Sequence, residues 1–315
     1  MEQLKGLFLY KCVHHYIGFK YLGYIIKVDS YKATDWNWLV AKVEKIGHWC
    51  NTWISLGGRF TLIKVVLEGQ PVYWMALAAI PTMVIDKLRK LTYNFIWSSI
   101  TDYSRQHLCN WESLAKPKNK GGWGIRNIFH FNKALATNSL WRVLTKYGMW
   151  HFVIKDKYLP HVSVATWLRN VANTTRVASQ IWRNLIKLVK WITHWLYWKS
   201  GSGHSIILGK DCIIGLDKAS YLSIQLITHL NSKNIRYLFQ ARGSTRSRIL
   251  SDDWISSIEL DLSTEHVVEW DNYYMKLSRS GIQLQDTDDQ LMWSGGDRSG
   301  LLTVKNVYTG ITNSL

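Results

Sequence analysis

Apolar residues recur at steps of three and four along the first third of the chain, the spacing that places side chains on one face of an α-helix. Thr34 or Asp35 is a suitable N-cap for a first helix. The apolar face that follows consists of Leu39, Val43, Ile46, Trp49 and Trp53. Lys42 and Lys45 fall off this face. The pattern therefore predicts a helix that is buried on one side and basic on the other.

Two further helices are predicted downstream. Ser55 is the expected N-cap of the second, which runs to about Glu68 and is stopped by Pro71. The third begins after Pro81, because proline is well tolerated in a first helical turn. The predicted core positions of the third helix are Ile85, Leu88, Phe95 and Ile96. Its predicted exposed cations are Lys87, Arg89 and Lys90. Three short helices with basic outer faces predict a small bundle.

The pattern differs on either side of this bundle. Residues 19–28 alternate loosely and are rich in Tyr and Ile, which predicts a strand that forms half of a hairpin. Residues 129–157 and 177–198 again show helical periodicity. After Gly201, short β-type runs with glycines predict a small sheet. A helical pattern and a strand–turn–strand pattern follow it, over residues 252–284 and 288–308.

The predicted fold class is mainly α, with an α+β C-terminal region. Four segments are expected along the chain. Residues 1–30 hold the hairpin, residues 31–100 the three-helix bundle, residues 101–200 a basic loop with connecting helices, and residues 201–315 the small α+β region. At about 100–200 residues per domain, a chain of 315 residues is long enough for two cores.

Positive charge is unevenly distributed. The net charge is +17. Residues 1–200 contain 28 Lys and Arg against 9 Asp and Glu, whereas residues 201–315 contain 11 against 13. A strongly basic region favours a polyanion such as nucleic acid, because neutralised phosphates release condensed counterions. The alternative is a basic surface that is merely solvated.

The remaining composition excludes several classes of site. The four cysteines form no CxxC pair, which fits an intracellular, reducing compartment and predicts no zinc site. The N-terminus has no signal-peptide pattern. The most apolar stretch, residues 71–85, is shorter than the roughly 20 residues that a membrane span needs, so we expect no membrane association.

Two glycine-containing basic elements are candidates for binding a phosphate backbone. In the first, Gly57 and Gly58 could bring backbone N–H groups close to a phosphate at a helix start. Arg59 could add a forked contact, and Lys64 a point charge one turn later. The same stretch also suits a tight corner between two helices.

The second element is the loop KPKNKGGWGIR, residues 116–126, which contains four cations, no acid and three glycines. Such a loop can wrap a nucleic-acid backbone while Trp123 packs or stacks. Its candidate contact residues are Lys116, Lys118, Lys120, Gly121, Gly122, Trp123 and Arg126. From the third helix, Lys87 and Lys90 are added to this set.

Catalytic patterns are missing from this sequence. A polymerase needs carboxylates that converge on magnesium ions. The adjacent acidic pairs, Asp252–Asp253 and Asp288–Asp289, do not follow an aromatic residue in a hairpin, so they are interpreted as helix-start or turn acids. The segment Gly201–Ser205 does not match the GxSxG nucleophile motif. We therefore predict no catalytic residues and no cofactor for this chain.

An ordered string of motifs nevertheless runs along the chain. It consists of KYLGYIIK at residues 20–27, WISLGGRFTLIKVVLEGQPVYW at 53–74, FIW at 95–97, AKPKNKGGWGIRNI at 115–128, WR at 141–142 and SGGDRSGLLTVKNVY at 294–308. The string resembles the region downstream of the catalytic palm in reverse transcriptases of plant non-LTR (LINE-type) retroelements. The resemblance covers most of the chain.

This resemblance implies an RNA-directed DNA polymerase as the parent protein, with the palm and its magnesium upstream of this region and a zinc-binding segment downstream. The chain would then be a truncated portion, and its three-helix bundle would correspond to the thumb. Tyr21, Leu22 and Gly23 would lie in a primer-grip-like hairpin at the end of the palm. The implied partner is a primer–template, an RNA–DNA or DNA duplex bound without sequence specificity, in the nucleus or cytoplasm. The alternatives are a degenerate product without a role and a protein-interaction module recruited by the host.

Overall fold

A computed structural model of the chain describes residues 19–21, 24–26, 31–50, 54–77, 80–97, 108–145, 148–171, 178–213, 221–242, 254–295 and 300–313. The chain divides into two compact units. Unit 1 comprises residues 1–140, 171–188 and 307–315, and unit 2 comprises residues 141–170 and 189–306. Each unit draws on separate stretches of chain, whereas the four segments expected from the sequence are continuous. That four-part division remains a prediction.

Helices dominate the described residues. They are Asn37–Cys50 (α1), Leu56–Leu62 (α2), Gly69–Leu77 (α3), Thr82–Trp97 (α4), Trp111–Ala115 (α5), Ile128–Thr145 (α6), Met149–Tyr158 (α7), Val164–Arg169 (α8), Gln180–Ile192 (α9), Ile224–Ser232 (α10), Thr264–Arg279 (α11) and Val304–Asn313 (α12). The strands are Phe19–Tyr21 (β1), Tyr24–Ile26 (β2), Leu196–Lys199 (β3) and Gln290–Trp293 (β4). β1 pairs with β2 and β3 with β4, both antiparallel. The predicted class, mainly α with some β, is confirmed.

The core of unit 1 forms where α1 and α4 present their apolar faces. Leu39 and Val43 of α1 are buried, as is Leu88 of α4. The other predicted core positions of α4, namely Ile85, Phe95 and Ile96, are buried as well. Ser55 caps α2 as predicted, since its hydroxyl accepts a hydrogen bond from the Gly58 N–H. Local patterning therefore predicted the buried faces of these helices, but the predicted cap of the first is wrong, because Thr34 and Asp35 lie within a 3₁₀ turn, Ala33–Trp36, that precedes α1. Of the predicted α1 face, the side chain of Trp49 and all of Trp53 lie outside the described residues.

The path between α2 and α3 differs from the prediction. A π-helical turn, Ile63–Leu67, follows α2 directly, and the Glu68 N–H bonds the Ile63 carbonyl at 2.8 Å. The prediction that Pro71 ends a helix is wrong, because Pro71 lies in the first turn of α3. The first N–H groups of a helix have no partner within it, so proline costs no hydrogen bond at that place.

Unit 2 has its own core around α10 and α11. Leu226 and Trp270 are almost fully buried there. The indole N–H of Trp270 donates to the Ile255 carbonyl at 3.0 Å, which satisfies the one polar atom of that side chain. The core residues are Ile206, Leu208, Ile213, Leu222, Leu226, Leu230, Leu238, Ala241, Trp254, Leu260, Trp270, Tyr273, Leu277 and Ile282.

The glycine-rich stretch after Gly201 does not form the predicted sheet. It is a loop whose backbone N–H groups donate to one carboxylate. One oxygen of Asp289 accepts from the N–H groups of Gly201 and Gly203, each at 2.8 Å. Its other oxygen accepts from the Ser205 N–H at 2.7 Å. Gly203 has a φ of +77°, a conformation that L side chains rarely adopt. Asp289 therefore holds a loop in place.

Two other predictions of secondary structure are wrong. Residues 196–199 form strand β3, which pairs Leu196 with Trp293, although the pattern predicted helix to residue 198. Residues 304–313 form helix α12, although the pattern predicted a strand there. Val307 and Ile311 are four residues apart, and both are buried on one helical face.

Candidate nucleic-acid interface

The two basic elements predicted from the sequence meet in unit 1 around a cleft of about 480 Å³. One wall comes from α2 and the other from the basic loop, residues 116–126. We call this recess the α2–loop cleft. Its lining residues are Leu56, Gly57, Phe60, Lys118, Gly122 and Trp123. Tertiary structure thus brings together candidates that lie about 60 residues apart in the chain.

The loop wall is built by hydrogen bonds that the loop makes with its own backbone. The N–H groups of Gly122 and Gly124 donate to the carbonyls of Pro117 and Lys116, at 3.1 and 2.9 Å. Gly121 has a φ of +79° and closes a short 3₁₀ turn over residues 118–120. A Cβ on Gly122 would lie 2.1 Å from the Lys116 carbonyl oxygen, so a larger residue does not fit.

These bonds change what the predicted glycines can do. Because Gly121, Gly122 and Gly124 donate their N–H groups within the loop, those amides are not directed at a ligand. The Gly58 N–H is likewise donated to Ser55. Gly122 therefore allows tight packing of the loop backbone, and these four bonded amides leave phosphate contacts in the loop to its side chains.

The aromatic floor of the cleft is ordered by edge-to-face packing. The rings of Phe60 and Trp123 lie 5.7 Å apart at 88°, and Trp97 packs against Trp123 at 6.0 Å. The ammonium group of Lys64 lies 4.8 Å from the centre of the Phe60 ring. Such contacts fix ring orientation, so the cleft is formed before any ligand arrives.

Lysine side chains converge on the edge of the cleft. A Cβ on Gly124 would lie 3.5 Å from Lys64 Nζ and 3.5 Å from Lys118 Cγ. The side chains of both lysines therefore lie next to this glycine. The lysines at 116, 118 and 120 are exposed. Lys120 Nζ donates to Asn313 Oδ1 of α12 at 2.8 Å. The result is a cationic rim beside an apolar floor.

Arg59 is placed differently from the prediction of a forked phosphate contact. Its Nε donates to the Ile54 carbonyl at 3.1 Å, and Nη1 donates to the Ile96 carbonyl at 3.4 Å. Ile96 lies in the last turn of α4, where carbonyls lack partners within the helix. The guanidinium therefore connects the start of α2 with the end of α4.

Glu68 is a buried acid that the sequence reading did not single out. Its carboxylate accepts from the Arg126 N–H at 2.6 Å and lies 3.7 Å from Arg126 Nε. Burial raises the pKa of the Glu68 carboxyl above its ordinary value, and the Arg126 N–H and the charges of Arg126 and Lys64 offset part of that rise. Glu68 thus pins the end of the basic loop.

Helix α12 supports the loop from a distant part of the chain. The Asn127 N–H donates to Tyr308 Oη at 2.9 Å, and the Tyr308 ring packs on Phe131. Burial raises the pKa of the Tyr308 hydroxyl, while the bond from Asn127 lowers it. Tyr308 belongs to the VKNVY motif. The four-residue step from Val304 to Tyr308 is helical spacing, and it is the sequence feature that could have predicted this contact.

The remaining predicted residues lie outside the cleft. Lys87 and Lys90 are exposed on α4, which contributes no lining residue. Tyr21 ends β1 and pairs with Tyr24. Leu22 and Gly23 lie outside the described residues. Within the described residues, no three His, Cys, Asp or Glu side chains form a group that could hold a metal ion.

No helix in the described part of the chain combines the length and apolar character that crossing a bilayer requires. Of the acidic pairs considered above, Asp289 holds the Gly201 loop, and Asp252–Asp253 lies outside the described residues.

Comparison with known proteins gives two relatives, both from Arabidopsis thaliana. The chain is 31% identical over 171 residues to a protein named "Putative ribonuclease H protein", which covers 53% of this chain and 27% of that protein. It is 28% identical over 118 residues to an uncharacterized mitochondrial protein, which covers 37% of this chain and 73% of that protein. The chain therefore spans about a quarter of the first relative. No protein-family model matches the chain. Its similarity is thus to plant proteins, one of which carries the name of a nuclease that acts on RNA.

Proposed function

We propose that this chain is a portion of a plant retroelement protein of the reverse-transcriptase type, and that unit 1 binds a nucleic-acid duplex through the α2–loop cleft. The observation that carries the proposal is that the side chains of Lys64 and Lys118 both approach Gly124, beside the paired rings of Phe60 and Trp123. The motif string and the two plant relatives support the retroelement assignment.

The charge distribution supports backbone binding without sequence readout. Lysine is a mobile point charge that suits phosphate contacts, and the loop supplies three exposed lysines within five residues. The acid that contacts the loop end, Glu68, is buried and paired with Arg126, so it offers little repulsion to an approaching phosphate. A non-specific dissociation constant of about 10⁻⁴–10⁻⁶ M is expected for such a surface.

We further propose that unit 1 acts as the thumb-like part of its parent and that the polymerase chemistry belongs to another part of that protein. The α1–α4 bundle would then lie against the primer–template, and the basic loop would follow its backbone. In this proposal the cations of the cleft hold and orient the duplex, and no residue of this chain takes part in bond making.

A salt-dependent titration tests the binding proposal. The purified chain is titrated against a fluorescent RNA–DNA primer–template at about 50 and 200 mM salt, where affinity falls steeply if phosphates are neutralised. Lys118→Ala is expected to weaken binding for every sequence and to lower the slope of log K against log salt by about one. The control is Lys233→Ala, which removes a lysine in the near-neutral residues 201–315.

Three results would count against the proposal. Absence of binding at about 50 mM salt, where phosphate contacts are strongest, would remove the duplex-binding function. Primer extension by the chain in the presence of magnesium and nucleotides would show that catalytic residues are present after all. If Lys118→Ala and Lys233→Ala gave equal slopes of log K against log salt, the duplex would bind somewhere other than the cleft.

A further inference from the structure

A second aromatic recess lies entirely within unit 2, in a region that the sequence reading gave no binding role. Its volume is about 400 Å³. We call it the tryptophan pocket. Its lining residues are Lys190, Trp191, His194, Trp195, Tyr197 and Ser294. None of the six is acidic.

Backbone pairing holds the walls of this pocket in place. Helix α9 ends at Ile192, and a 3₁₀ turn, Thr193–Trp195, leads directly into β3. The Trp195 carbonyl accepts from both the N–H and the hydroxyl of Ser294, at 2.9 and 3.0 Å. These bonds join positions 99 residues apart, so the pocket exists only when β3 and β4 are paired.

Buried Trp293 supports the two tryptophans that line the pocket. Its ring lies 6.1 Å from Trp191 and 5.7 Å from Trp195, with interplanar angles of 46° and 30°. Trp293 is 2% exposed, whereas Trp191 and Trp195 are half-buried. The lining rings are therefore backed by a buried third ring and face the recess from a rigid support.

The chemistry of the lining favours a flat aromatic ligand that carries negative charge nearby. Three aromatic side chains supply π-faces and edges, and exposed Lys190 and His194 lie at the rim. The volume falls within the roughly 300–1,000 Å³ that is usual for small-ligand pockets. Base–aromatic stacking combined with a nearby cation is the common mode of binding single strands.

We infer that the tryptophan pocket binds an unpaired nucleobase of a single-stranded nucleic acid by stacking on Trp195 and Trp191, while Lys190 contacts an adjacent phosphate. A duplex does not satisfy this site, because each base in a duplex is already covered on both faces by its neighbours. The pocket thus differs in ligand from the α2–loop cleft, for which we propose duplex binding, and the inference does not depend on that proposal.

Two oligonucleotides of equal length separate stacking from charge. One is a 12-nucleotide oligo(dT), and the other is a 12-nucleotide abasic strand with the same phosphates. The wild-type chain is expected to bind oligo(dT) about tenfold more tightly than the abasic strand, since one stacked base is worth that much. Trp195→Ala is expected to remove most of this ratio.

Two variants serve as controls for Trp195→Ala. Trp150→Ala removes a tryptophan that is 43% exposed on α7 of the same unit, and it is expected to leave the ratio unchanged. Trp195→Phe keeps a stacking ring and is expected to retain most of the ratio. It therefore provides a test even where the alanine variant fails to fold. Lys190→Ala is expected to weaken both strands equally and to leave the ratio near its wild-type value.

The inference is overturned if oligo(dT) and the abasic strand bind equally to the wild-type chain, because charge alone then explains binding. It is also overturned if Trp195→Ala and Trp150→Ala change the ratio alike, or if Trp123→Ala abolishes the ratio. The last result would place the stacking site at the α2–loop cleft. Weaker duplex binding in Lys118→Ala, together with loss of the ratio but not of duplex binding in Trp195→Ala, would support the inference, since the two sites then fail separately.

Discussion

The α2–loop cleft of unit 1 and the tryptophan pocket of unit 2 combine the same residue types in different proportions. Both have aromatic floors and lysines at the rim. Exposed lysines of the basic loop, at positions 116, 118 and 120, lie at the cleft. The pocket has one lysine and three aromatic lining residues. Charge therefore dominates the first recess and π-surface the second, which favours duplex backbone in one and unpaired bases in the other.

Both units also use a carboxylate to hold a loop, buried in the case of Glu68 and half-buried in the case of Asp289. In unit 1, Glu68 accepts the Arg126 N–H and holds the end of the basic loop. In unit 2, Asp289 accepts three N–H groups of the loop that begins at Gly201. Each acid lies beside a glycine-containing loop and replaces missing secondary-structure bonds. Acids near a loop therefore indicate how the loop is held, and they are weak evidence for catalysis.

The largest effect is expected for a methyl group added to the loop wall of the cleft. Gly122→Ala places a Cβ against the Lys116 carbonyl, so the loop must move. We expect the free energy of unfolding to fall by about 2 kcal/mol, and duplex affinity to fall with it. Urea denaturation and the primer–template titration measure the two effects.

Gly57→Ala is the matched control, because Gly57 also lines the cleft but a Cβ there meets no atom within 4 Å. In a helix, alanine is favoured over glycine by roughly 0.5–1 kcal/mol, so this variant is expected to be as stable as the wild type or more so. If both glycine variants behaved alike, the close packing of the loop described above would be wrong.

A smaller effect is expected for Arg59→Lys, which separates a structural role from a phosphate contact. Arginine bonds the carbonyls of Ile54 and Ile96 through two nitrogens of one guanidinium group, and the lysine ammonium cannot reproduce both bonds. We therefore expect the free energy of unfolding to fall by about 1 kcal/mol. The salt slope of duplex binding should stay unchanged. Arg59→Ala removes the charge, so a shallower slope in that variant would show that Arg59 contacts phosphate, as the sequence suggested.

Arg89→Lys controls for the same chemical change at an exposed site. Arg89 pairs with Asp86 on α4 at 3.2 Å, and both side chains are well exposed. Exposed pairs of this kind contribute about 0.3 kcal/mol. A stability loss as large as that of Arg59→Lys would remove the argument that the two carbonyl contacts are responsible.

The smallest effect is a pH dependence at Glu68. Because burial raises the pKa of Glu68 in the folded state, its contribution to stability is fully present below its ordinary value of 4.5 and is lost as the pH rises through the folded value. Glu68→Gln does not titrate there. The stability of this variant relative to wild type should therefore increase as the pH rises above 4.5.

Urea denaturation of both proteins across that pH range measures this difference. A constant difference would mean that the folded and unfolded pKa values of Glu68 are equal. A difference that decreases as the pH rises would mean that the Arg126 contact outweighs burial, since the folded pKa would then lie below the unfolded one.

Sequence patterns predicted the elements whose causes are local. Helix α4 was predicted with its buried and exposed faces, because its apolar spacing continues for 16 residues. The cap at Ser55 was also predicted. The errors arose where contacts between distant residues decide the secondary structure. Strand β3 follows helix α9 after one 3₁₀ turn because Leu196 pairs with Trp293, and no local pattern encodes a partner that far along the chain.

The sequence by itself determined that residues 1–200 are basic, that residues 31–100 are helical and that residues 116–126 form a glycine-rich loop, since charge and backbone freedom are properties of the residues themselves. Tertiary structure alone decided that Lys64 and Lys118 converge and that the loop amides face inward. It also decided that Trp191 and Trp195 surround a recess. The physical reason is that a site needs side chains at set distances, and these distances come from contacts between residues 58 to 181 positions apart.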